Sequence, residues 1–95
     1  MSVAKVLDTL GRRGTYGGSW KKFFDYLKYQ DTPESDVFFW AEELEQSGNV
    51  EEARELVREY LSYRKKYGRV GEFGIIGESE KIAERLGLNY IWDEG

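Results

Sequence analysis

Residues 32–67 read TPESDVFFWAEELEQSGNVEEARELVREYLSYRKKY, and the spacing of their apolar side chains decides the fold. Val37, Trp40, Ala41 and Leu44 recur at i, i+3, i+4 and i+7, which is one face of an α-helix. Val50, Ala53, Leu56, Val57, Tyr60 and Leu61 continue the same period in a second segment. Between them stands only "GN", Gly48 and Asn49. A link that short forces the two helices to be antiparallel neighbours, so an αα-hairpin is expected over 33–47 and 50–67. Thr32 is expected to cap the first of them, with Pro33 at the first helical position, where its missing N–H costs nothing. Gly48 is expected to close that helix and Asn49 to cap the next.

The pattern extends toward the N-terminus. Val3, Val6, Leu7 and Leu10 form one quartet, and Trp20, Phe23, Phe24 and Leu27 another, with Ser2 and Ser19 placed to cap them. After Tyr67 it breaks. Gly68, Gly71, Gly74 and Gly77 recur through a stretch with no proline, which reads as a loop. "SEKIAERL", residues 79–86, gives a fifth short helix. The sum is a single all-α domain over 1–95, a small bundle of four to five short helices. A minor two-stranded piece near 73–76 and 89–92 is the alternative for the C-terminal region.

Composition bounds the chemistry. Of the 95 residues 40% are hydrophobic and 16% aromatic, too apolar for a disordered chain. There is no cysteine and no histidine, so disulfides, thiol nucleophiles, a Ser–His–Asp triad and the ordinary zinc sites are out of reach. No Walker or EF-hand spacing is present. No cofactor and no catalytic residue are expected, and the chain reads as a non-enzyme. The longest apolar run is VFFWA, far short of a membrane span. A cytoplasmic protein without membrane contact is the expectation. The wealth of Glu, Lys and Arg resembles the composition of proteins from hot environments.

Charge is segregated. Residues 1–30 hold six basic and two acidic groups, 31–59 two basic and ten acidic, and 60–70 four basic and none acidic. Two basic segments with interleaved aromatics result. The first, 11–22, contains Arg12, Arg13, Tyr16, Lys21 and Lys22. The second, 60–69, contains Tyr63, Arg64, Lys65, Lys66 and Arg69. Basic groups neutralise phosphates and aromatic faces stack on unpaired bases. Together the segments are the candidate surface for an anion or a nucleic acid. The plainer account is a solvated glycine turn, followed by a basic helix end that suits the helix dipole. Phe39 is a second candidate: it projects away from its helix's apolar stripe, beside Glu42, Glu43 and Gln46, as an anchor for a partner would.

Two local resemblances carry less. GNVEEARELVREYL resembles part of a tetratricopeptide unit, but no 34-residue period follows. SEKIAERLGLN resembles the first half of a helix-turn-helix, with Ile82, Ala83, Leu86, Gly87 and Leu88 in that family's order. The recognition helix would have to come from YIWDEG, where Asp93 takes an apolar position. A short helix with a glycine cap explains the same letters. The functional expectation is a small helical interaction or accessory protein whose partner is a protein or a second copy of the chain. Nucleic-acid binding through 11–22 and 60–69 is the alternative.

Overall fold

A computed structural model describes residues 3–11, 19–71 and 76–88, the last stretch with side chains from 79 onward. The described residues form an all-α small bundle of five helices: α1 Val3–Thr9, α2 Trp20–Tyr29, α3 Glu34–Gln46, α4 Val50–Tyr67 and α5 Ile76–Arg85. The longest, α4, lies at the centre. It packs on α1, α2 and α3, while α5 rests on α3.

The apolar quartets become the core. Val3, Val6 and Leu7 are buried, as are Phe23, Phe24 and Leu27, and Val37, Ala41 and Leu44. Leu10, Trp20 and Trp40 pack half-buried at its margin. Rings from three helices interlock: Phe24 lies 5.4 Å from Tyr60 and 5.2 Å from Tyr63, Phe38 stands edge-on to Tyr60 at 5.9 Å, and Phe23 meets Trp40 at 6.3 Å. Two positions depart from the pattern. Phe38 is fully buried although it lies at the edge of the α3 stripe, because α3 is covered by both α4 and α5. Val50 is exposed, being the first residue of its helix.

The helix ends follow backbone hydrogen bonding closely. At Gly48, with φ +89°, the Asn49 amide bonds the Leu44 carbonyl and the Gly48 amide that of Glu45. This is a Schellman closure, and the left-handed residue it needs is glycine. Gly87 repeats it, through Leu88 to Ala83 and Gly87 to Glu84. Ser19 caps α2, accepting from the Lys22 amide. Asn49 occupies the cap of α4, but its side-chain amide donates to Ser47 Oγ at 3.0 Å rather than capping.

Several expectations need correction or lie outside the described residues. Pro33 is the cap of α3, not its first helical residue, and Thr32 makes no cap. Thr32 belongs instead to the end of α2, where its amide bonds the Leu27 carbonyl around Asp31 at φ +56°. The fifth helix begins at Ile76, three residues before the expected start. That places Ile76 in a helix; the remainder of the suggested strand pair, 73–75 and 89–92, lies outside the described residues, as do the Ser2 cap and the tail.

The connection after α4 carries a core residue. Val70 is fully buried and donates its amide to the Tyr60 hydroxyl at 3.4 Å. Next to it Gly71, at φ +144°, sits so close to the α2–α3 corner that a Cβ would fall 1.9 Å from the Thr32 carbonyl oxygen. No side chain fits there without moving backbone. The segment is a strap, tied down at both residues.

Candidate anion-binding face

Helix α2 buries one side and shows the other. With Trp20, Phe23, Phe24 and Leu27 inward, a turn of about 100° per residue leaves Lys21, Asp25 and Lys28 on one outer stripe. Lys22, Tyr26 and Tyr29 lie on the adjoining stripe. All of these are exposed except Asp25, which is half-buried.

The first stripe is fastened to the end of α4. Lys21 donates to Asp25 Oδ2 at 2.7 Å, and its ammonium stands 5.1 Å from the centre of the Tyr67 ring, a cation–π distance. Lys28 Nζ donates to the Tyr67 carbonyl at 2.8 Å, satisfying one of the open carbonyls that end α4. Asp25 also accepts from the Tyr63 hydroxyl at 2.6 Å. The hydrogen bonds from Lys21 and Tyr63 hold the Asp25 carboxyl below its ordinary range, and the Asp25 hydrogen bond holds the Lys21 ammonium above its own. Burial, then Asp25, pushes the Tyr63 hydroxyl well up, so it stays a donor.

The second basic segment is split by its own helix. Tyr63 is buried. Arg64 is withdrawn into the interior, where its Nε lies 3.2 Å from Glu34 Oε2. Lys65 and Lys66 are both exposed, but about 100° apart. Lys66 lies on the side of Tyr63 and Ser62, whereas Lys65 lies on the side of Leu61 and Arg58. Arg69 is exposed beyond the helix end, and its charge reaches Glu34. Arg12, Arg13 and Tyr16 lie outside the described residues. Of the expected surface, then, Lys21 is brought against the end of α4, Lys22 and Lys66 are exposed, and Tyr63 and Arg64 are structural. Tyr67, an aromatic of the second segment, joins the face, as do Lys28, Tyr26 and Tyr29, which sequence reasoning did not select. Their signal was present: they are the residues of α2 and the α4 end that the core stripe leaves out.

Beneath this face lies a buried polar centre. Glu34, the first residue of α3, is fully buried. It accepts from the Tyr60 hydroxyl and pairs with Arg64. Its other oxygen, Oε1, has no hydrogen-bond partner. Burial raises the carboxyl above its ordinary value, against the opposing pulls of Tyr60, Arg64 and Arg69. A sealed acid of this kind has no path to a substrate; it holds α3 to α4.

Phe39 is 48% exposed on the outer side of α3. Among the described residues no group of three or more acidic side chains is arranged to hold a metal ion. No helix there is long and apolar enough to cross a membrane. Comparison with known proteins finds no family model, no curated protein and no solved structure that matches the chain.

Proposed function

We propose that the chain is a small non-catalytic binding module that holds an anionic macromolecular partner on the face made by α2 and the end of α4. The observation that carries this reading is the junction at Tyr67, where Lys21 covers the ring and Lys28 takes the carbonyl. That junction brings Lys21, from the first basic segment, and Lys28 against Tyr67, in the second, on a chain whose net charge is −4. A basic face on an acidic body orients an approaching polyanion, attracting it at one side and repelling it elsewhere. The absence of His and Cys from the sequence supports a role in binding rather than in proton or group transfer.

Heparin, as a generic polyanion, provides the test. Binding should weaken steeply with salt, because each basic contact releases counterions. Replacing both Lys22 and Lys66 with Ala should lower affinity several-fold with unchanged helicity. Lys65→Ala, on a side chain turned elsewhere, should have a smaller effect. Binding that ignores salt, or a Lys22/Lys66 variant that binds like the parent, would remove the proposal.

Phe39 favours a second reading, a protein or second-copy contact on α3. An exposed ring on the outer side of a helix is the sort of anchor an interface uses.

A further inference from the structure

We infer that the occupant of the α2 face is an unpaired nucleic-acid strand, an inference that rests on the anion-binding reading above. Charge alone does not distinguish a strand from a duplex or an acidic protein. The tyrosines do. Tyr29 is 84% exposed, Tyr67 45% and Tyr26 37%, and all three stand among lysines rather than apart from them. Tyr26 and Tyr29 are three residues apart, so they are neighbours on the helix surface. Lys22 precedes them by four and seven positions on the same stripe. A backbone phosphate held by Lys22 therefore brings its flanking bases to ring height.

Each possible occupant uses this arrangement differently. A duplex keeps its bases stacked inside and offers the face only phosphates, so the rings gain nothing from it. An acidic polypeptide offers carboxylates and few flat surfaces. An unpaired strand offers both phosphates and free base faces, and aromatic rings beside a basic groove are the usual means of holding one without reading its sequence. Tyr67 anchors the face rather than offering a stacking surface, because its ring lies 4.9 Å from Tyr63 and under the Lys21 ammonium; Tyr26 and Tyr29 are the rings presented to bases.

The test is fluorescence anisotropy at low salt with a labelled 12-nucleotide oligothymidylate, its uridylate counterpart and a duplex of the same length, with heparin and polyglutamate as competitors. The single strands should bind more tightly than the duplex. The Tyr26→Leu/Tyr29→Leu variant should lose about tenfold per ring for the strands and keep its affinity for heparin. Tyr29→Leu alone, at so exposed a site, cannot disturb the core and should show its share of the loss. Equal binding of strand and duplex, with no effect of the tyrosines, would overturn the inference and leave the anion face standing. Polyglutamate binding more tightly than the strands would overturn it in favour of an acidic protein. Failure of heparin and strands alike would remove the face itself.

Discussion

Phe38→Ala should destabilise the protein by about 3–5 kcal/mol, the range for emptying a buried phenylalanine site, whereas Phe39→Ala should change stability by no more than about 0.5 kcal/mol. The residues are adjacent and chemically identical, so helix propensity and composition cancel in the comparison. Only their surroundings differ. Phe38 is 1% exposed and meets the Tyr60 ring edge-on; Phe39 is 48% exposed. Urea denaturation of the two variants measures the contrast directly. The same Phe39 variant examines the second functional reading: weaker self-association or partner binding with an unchanged melting temperature is expected if the ring is an anchor. A drop in monomer stability at Phe39 comparable with that at Phe38 would rule the anchor out.

Arg64→Met should cost about 3 kcal/mol at pH 8, the low end of the range for breaking a buried ion pair from one side, and clearly less at pH 4. The guanidinium is 11% exposed and its carboxylate partner not at all, so removing it leaves a charge in the interior with the Tyr60 hydroxyl and the charge of Arg69 to stabilise it. Glu34 already sits above its ordinary value of 4.5. A carboxyl raised on folding contributes stability that is complete below the unfolded pKa and is lost as pH rises through the folded one. Removing Arg64 raises the folded value further, so the loss grows with pH. Asp25, held low, titrates with the opposite sign, but it does so equally in parent and variant and drops out of the difference. Glu34→Gln mimics the protonated acid and should gain on the parent as pH rises. Melting curves at the two pH values decide it, and equal losses for Arg64→Met at both would mean that the residue acts by packing alone.

The helices were legible because their signal is local. Four apolar stripes and the Gly48 closure set α1 to α4 to within about two residues, including the hairpin. What was not legible depends on partners distant in the chain. Glu34 reads as an ordinary acid favouring a helix start; its burial comes from Tyr60 and Arg64, a whole helix later. Val70 reads as part of a glycine-rich loop, and only the Tyr60 hydroxyl and the Thr32 corner explain why it is in the core. Arg64 and Tyr63 looked like surface residues because basic and aromatic letters alternate there, yet helical geometry turns each to a different neighbour. The candidate face was half readable for the same reason: Lys21, Lys22 and Lys66 announce themselves by charge. Lys28, Tyr26 and Tyr29 are defined only by the side of α2 that the core does not use.

The α3–α4 hairpin also bears on how quickly the chain finds its structure. Its two helices are joined by Ser47, Gly48 and Asn49 alone, so their contacts close with little loop entropy. Helix α1 must instead reach across α2 and α3 in sequence before it meets α4. Refolding should therefore nucleate in the hairpin, with α1 docking after the barrier. In stopped-flow experiments Leu44→Ala should mainly slow folding, and Val6→Ala should mainly speed unfolding. Resistance to unfolding over long times is then governed not by the longest helix but by the shortest, whose attachment is the last formed and the first released.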